Sequence, residues 1–207
     1  MNRKFISKSN RVLRKVLNSK ENLDILKDLI ETFLEIQIEK IALNPYLESK
    51  SKNLPSEENF GIADVRVSLK NKEELNIGIQ FIDGCYAQNK MLLYYAQIHS
   101  NQIEYQDGRK IAKTITINLL DFNYLKADNY FNKIIIPSKT ENQIELYVME
   151  LPKFRTSFEK EIEKKEAWMI YLCGRPEEEM EQVIKKFSKI KKLDNLLKNY
   201  WDNEVME

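Results

Sequence analysis

Hydrophobic positions along the chain recur first with a helical period and then with a strand period. Val12, Leu13, Val16 and Leu17 lie at helical spacing, and Leu23, Leu26, Leu29, Ile30, Phe33 and Leu34 do so more strongly. The spacing predicts two helices, the second ending before Asn44-Pro45, a stop signal. Ser49 to Asn59 is polar, contains Pro55 and reads as a loop. Beyond it the period becomes two. Ile62, Asp64, Arg66 and Ser68 point one way, and Val65, Val67 and Leu69 the other. After a polar turn at Asn71 to Glu74, Leu75, Ile77, Ile79 and Phe81 share one face, while Asn76, Gly78 and Gln80 share the opposite one. The short turn predicts an antiparallel hairpin.

Tyr86 to Tyr105 reads as a helix with Met91, Tyr94, Tyr95, Ile98 and Gln102 on related faces. Core packing explains that stripe better than a base-stacking surface does. Thr114 to Leu120, Ile134 to Ile136 and Ile144 to Leu151 read as strands. Trp168, Tyr171 and Leu172 anchor a further helix, and Val183, Ile184, Phe187, Ile190, Leu193, Leu197 and Tyr200 form the stripe of one long final helix. The order predicts an α/β protein, a mixed sheet flanked by helices with a helical C-terminal part. The division expected is a core over 1–152, including the basic N-terminal helix, and a helical extension over 153–207.

Composition narrows the chemistry. Hydrophobic residues make up 43% of the 207, enough for a core, and no apolar run is long enough to cross a bilayer. The first twenty residues lack the apolar segment of a signal peptide, so a cytoplasmic protein without a membrane partner is expected. Cys85 and Cys173 are too few for a zinc cluster and read as structural thiols. His99 is the single histidine, which excludes paired-histidine metalloprotease chemistry. The net charge of +1 exerts no global pull on nucleic acid. Locally, however, Arg3, Lys4, Lys8, Arg11, Arg14, Lys15 and Lys20 occur with no acidic residue among them, a pattern suited to a phosphate backbone.

The hairpin carries the candidate chemistry. Metal-dependent phosphodiester cleavage needs hard oxygen ligands, and carboxylates on adjacent strands supply them. Asp64 on the first strand, with Gly78 and Gln80 flanking Ile79 on the second, has the spacing of a D…E-x-Q site with glycine at the E position. Glu74 shares the parity of Gly78 but lies four residues back, roughly 13 Å along a strand, too far to substitute without rearrangement.

These segments, in order, resemble the PD-(D/E)XK nuclease family transposases, relatives of the recombination-promoting nucleases. Ser9 to Leu17 is similar to the family's opening N-D-x-V-F-K-K-I-F, and Leu29-Ile30, Phe33-Leu34 and Leu43-Asn44-Pro45 to its next helix and turn. Ala63-Asp64-Val65-Arg66-Val67 and Leu75-Asn76-Ile77-Gly78-Ile79-Gln80 are similar to its D-V…I-E-I-Q core. Lys90 with Leu92, Leu93 and Tyr94 falls on its R-x-L-Y-Y helix. Ile115 to Phe122, Glu150 to Phe154 and Trp168 complete the likeness.

The resemblance implies a restriction-endonuclease-like fold and Mg²⁺-dependent DNA cleavage. Asp64 and Gln80 would be the catalytic pair. Asp64 and Glu35 would be metal ligands, with Glu31 the alternative helix carboxylate. Arg11, Arg14, Lys15 and Lys90 would contact DNA. The chain departs from the pattern at Gly78, at Asn10 in the opening motif and at Lys90, which lacks the bidentate fork of arginine. The expectation is therefore a nuclease-like protein of the transposase or mobile-element type, impaired in or devoid of metal-dependent cleavage. Mg²⁺ would be its cofactor only if it is active, and DNA its partner through the N-terminal helix. The alternative is a dead nuclease fold that binds protein, as an inhibitor or regulator from a phage or mobile element.

Overall fold

The segments that alternate in the sequence become the sheet, and those with helical spacing pack as helices. The computed structural model describes residues 12–44, 61–82, 84, 86–105, 111–136, 144–154 and 161–204. The Ser49–Asn59 loop, Asn10, Arg11 and the rest of the basic arm before it, and Cys85 lie outside them. The chain divides into two compact units, one of Gln37–Lys153 and one of Met1–Ile36 with Phe154–Glu207. The helical part expected from residue 153 is thus grouped with the N-terminal helices.

The first unit is a six-stranded sheet in the order β1-β2-β3-β4-β6-β5. Its strands are β1 (Ile38–Leu43), β2 (Gly61–Leu69), β3 (Glu74–Ile82), β4 (Lys113–Leu120), β5 (Phe131–Ile136) and β6 (Ile144–Glu150). The expected hairpin is present: β2 and β3 pair antiparallel with Asp64 opposite Gly78 and Arg66 opposite Asn76. β1 pairs antiparallel with β2, β3 runs parallel to β4 and β4 to β6, and β5 returns antiparallel to β6. Helix α2 (Ala87–Tyr105) makes the crossover from β3 to β4.

One sheet face is apolar through its centre, with Val65, Val67, Ile77, Ile79, Ile115 and Ile117 all buried. The other face lies beneath α2 and is divided. Leu120, Leu146 and Val148 pack with Met91 and Tyr95 in an apolar cluster, whereas the β2–β4 rows are polar.

The second unit holds α1 (Leu23–Leu34), α3 (Lys164–Leu172), α4 (Glu177–Lys186) and α5 (Ser188–Glu204). Residues 12–17 are also helical, with Val12, Leu13, Val16 and Leu17 buried. Ile25, Leu26, Leu29, Ile30 and Phe33 form the buried stripe of α1. Trp168 of α3 donates its indole N–H to Asp28 of α1 at 3.0 Å, which satisfies its one polar atom in an otherwise apolar environment. Asp24 of α1 accepts hydrogen bonds from Lys189 and Lys192 of α5, both at 2.7 Å.

Two expectations are corrected. The second helix does not reach Asn44. It ends at Leu34, where Glu35 takes a left-handed conformation (φ 56°) and its N–H caps Glu31 O, and Ile38–Leu43 becomes β1. Pairing with β2 supplies the backbone partners that a longer helix would have supplied. The final stripe is not one helix either. Phe187 is extended (φ −112°, ψ 108°), which separates α4 from α5, although its N–H still bonds to Val183 O.

A buried ion pair fixes the loop between β4 and β5. Glu150 at the end of β6 is fully buried and accepts backbone N–H bonds from Tyr124 and Leu125, and Lys153 lies 2.9 Å from its second oxygen. Lys153 also donates to the carbonyls of Leu125 and Ala127, both at 2.6 Å. Lys153→Met leaves the carboxylate buried without its cation and should cost roughly 3–5 kcal/mol. Urea unfolding checks this. Adding Glu150→Gln to it should recover part of the loss, because the uncompensated charge is then gone.

Candidate functional site

The β2–β3 register brings Asp64, Gly78 and Gln80 onto one face, as the alternation predicts, and β4 extends the rows. Thr116 lies beside Gly78, Thr114 beside Asn76 and Asn118 beside Gln80. All of these polar side chains are buried. Asp64 is only 2% exposed.

Asn44 organises the Asp64 end. Its backbone N–H donates to Asp64 O at 3.2 Å, continuing the β1–β2 ladder by one residue. Its side-chain amide then donates both hydrogens, one to Asp64 Oδ1 and one to Asn76 Oδ1, each at 2.5 Å. Asn76 passes the chain on to α2, donating to Ile98 O at 3.0 Å. The Arg66 guanidinium binds Glu74, with Nε 2.7 Å from Oε2. Glu74 is therefore held at the strand start, away from Gly78.

Gln80 is fully buried and donates through Nε2 to Asn118 Oδ1 at 2.6 Å. Asn118 in turn donates to Thr116 Oγ1 and Tyr147 O. Gln80 Oε1 has no hydrogen-bond partner among the described residues. At the other end of the rows, Gln102 of α2 donates to Ala112 O and Thr114 Oγ1 and accepts from Ala112 N. His99 Nδ1 is hydrogen-bonded to Thr114 Oγ1 at 2.9 Å. The ring of His99 stacks on Tyr95, whose hydroxyl pKa is raised by burial.

The space beside Gly78 is filled. A Cβ at Gly78 would lie 2.7 Å from Ile98 Cδ1 and 2.8 Å from Tyr94 Cε1. A Cβ at Gly61 would lie 2.6 Å from Tyr94 Oη and 2.9 Å from its Cε2. The two glycines are thus the floor of a slot for the Tyr94 ring. A bulge between Gly61 and Ala63 interrupts the ladder there, and the Tyr94 hydroxyl lies 3.0 Å from Ala63 O and 3.3 Å from Ile79 O, with one hydrogen to donate between them.

The remaining candidates belong to different surroundings. Glu35 sits past the end of α1, mostly exposed and 3.0 Å from Lys165. Glu31 is within 4.0 Å of Lys27. Arg14 and Lys15 lie on the helical stretch over 12–17, half-buried and exposed respectively. Lys90 is half-buried in the first turn of α2, where its N–H bonds to Tyr86 O.

Among the described residues the site offers few donors for a divalent cation. Mg²⁺ takes hard oxygen ligands in octahedral array, commonly one or two carboxylates with waters and substrate phosphates. Asp64 is the one buried carboxylate on β2, β3 and β4 among the described residues, and neutral amides surround it. No group of three His, Cys, Asp or Glu residues suited to a metal occurs among the described residues. Sequence reading missed Asn44, Asn118 and the Gly61–Tyr94 contact. The alternation of Thr114, Thr116 and Asn118 in β4 was the available signal for a polar row.

An antiparallel β1–β2–β3 meander followed by a parallel β3–α2–β4 crossover, with Asp64 and Gln80 on the central hairpin, defines a restriction-endonuclease-like α/β protein. Within that class, the profile of the PD-(D/E)XK nuclease family transposases matches residues 10–205, and the chain belongs to that family. Nuclease members of the PD-(D/E)XK group typically use Mg²⁺ and act on DNA. No curated protein and no solved structure matches the chain. No described helix is long and apolar enough to cross a membrane.

Because Tyr94 fills the slot, Gly78→Ala and Gly61→Ala should each destabilise by about 1–3 kcal/mol through overpacking. That loss must exceed the ~0.5–1 kcal/mol gained by replacing a strand glycine. Neutral or stabilising values at both positions in urea unfolding would refute the contact.

Proposed function

We propose that this chain is a nuclease fold of the transposase type in which metal-dependent DNA cleavage is impaired or absent, and that it contacts DNA through its basic N-terminal helix. The observation that carries the first part is the filled space at Gly78. Where an E-x-Q motif would project a carboxylate beside Asp64, Ile98 and Tyr94 occupy the volume. Asp64 is committed to the amide of Asn44. The face therefore has the chemistry of a buried hydrogen-bonded layer, whose neutral amides do not supply the negative charge that a second carboxylate would bring to a divalent cation.

Support for the second part comes from charge and placement. The helical residues 12–17 bury Val12, Leu13, Val16 and Leu17, which leaves Arg14 and Lys15 away from that buried stripe. Lysines and arginines on one side of a helix suit phosphate contact without sequence readout.

Plasmid nicking tests the first part. With Mg²⁺ or Mn²⁺, the natural chain should cleave no faster than its Asp64→Ala variant. Gly78→Glu alone should not confer cleavage, because the new side chain enters an occupied volume. Cleavage by the natural chain that disappears in Asp64→Ala overturns the reading. For the second part, DNA affinity is measured against salt concentration. Arg14→Ala with Lys15→Ala should weaken binding and reduce the slope of log K against log salt by roughly 2. A natural chain with a flat salt response, or a double variant with an unchanged slope, removes the DNA contact.

A further inference from the structure

Helix α2 buries one side against the sheet and presents another to solvent, and the solvent side has an unusual composition. Its 19 residues include only two charged ones, Lys90 and Glu104, in a chain that is 31% charged. Tyr86, just before the helix, and then Asn89, Leu93, Ala96 and Ser100 follow one another in steps of three, four, three and four residues, and all are exposed. That alternation is the seam spacing of paired helices. Leu93 is 57% exposed and Tyr86 77% exposed, so two large hydrophobic side chains stand in water along this series. A solvated helix face ordinarily carries charge and no such seam.

The seam matches itself when reversed. In an antiparallel pair of α2 helices with the two-fold axis midway between Leu93 and Ala96, Leu93 of one copy meets Ala96 of the other, and Asn89 meets Ser100. The large side chain falls on the small one twice, by symmetry, and the amide falls on the hydroxyl twice. Such self-complementarity is what an isologous interface requires. Ala96 and Ser100 allow the two helices to approach closely. The central layers contain no charge to desolvate.

We propose that the exposed face of α2 is a homodimer interface, in which a second copy of this chain packs antiparallel with Leu93 against Ala96. The seam from Asn89 to Ser100 spans about 16 Å of helix, which makes a small interface and a weak dimer, with Kd on the order of micromolar or above.

The test uses the full chain in sedimentation equilibrium from about 1 to 200 µM, the range a Kd of that order requires. The natural protein should show a reversible monomer–dimer equilibrium. Leu93→Glu and Ala96→Lys should each raise Kd roughly tenfold or more, because each buries a charge at both symmetry-related layers. Mixing the two variants should restore association. In the mixed dimer one layer sets the introduced carboxylate against the introduced ammonium, and the other remains Leu93 against Ala96. Both positions are exposed, and unchanged circular dichroism and thermal midpoints establish that the variants are folded. A natural protein that stays monomeric across the range overturns the proposal. So does a dimer indifferent to Leu93→Glu, which would place the contact elsewhere. A mixture that associates no better than either variant alone overturns the antiparallel register.

Discussion

The ring of Tyr94, lying over two glycines on adjacent strands, sets the relation between α2 and the sheet. Gly61 and Gly78 lower the floor of the β2–β3 surface, and the bulge beside Gly61 leaves carbonyl oxygens for the hydroxyl. The ring thereby finds both contact area and a partner for its polar end. Its seating fixes how far along the strands α2 sits. The bonds from Asn76 to Ile98 O, between His99 and Thr114, and around Gln102 all depend on that placement. A shift of one residue in either element would break each of them.

Beneath the helix, the polar layer is nearly closed upon itself. Asn44, Asp64, Asn76, Gln80, Thr114, Thr116 and Asn118 are buried, so each must find partners inside the protein. Most do so through amides, which donate and accept without carrying charge. Asp64 is the exception, and its burial is tolerable because Asn44 is delivered to it by the end of β1. The layer thus favours one arrangement of β1, β2, β3, β4 and α2 over slipped alternatives, since a slip would strand polar groups away from water.

The sheet is largely legible in the sequence because its signal is local. Alternation over Ile62–Leu69 and Leu75–Phe81 specifies the faces, and the short turn between them specifies the pairing. The same parity puts Asp64, Gly78 and Gln80 on one face. The errors come where local signals are weak. Glu35 and Phe187 interrupt helical patterns without a glycine or proline to mark the break, and Ile38–Leu43 is too short for its period to separate a strand from a helix. The slot is not legible at all. Gly61, Gly78 and Tyr94 meet only through the fold, and a strand glycine looks the same in sequence whether the space above it is empty or filled.

The Glu150–Lys153 bracket gives the segment from Asp121 to Tyr130 a character that its lack of helix or strand conceals. Two of its amides are bound by a carboxylate that has no contact with solvent, and two of its carbonyls by the paired ammonium. Small local fluctuations cannot release Tyr124 and Leu125, because the ions would have to be exposed as well. The segment's amide hydrogens should then exchange on the slow timescale of the sheet's larger openings, not on that of a surface loop. In motion, this irregular connection belongs to the sheet.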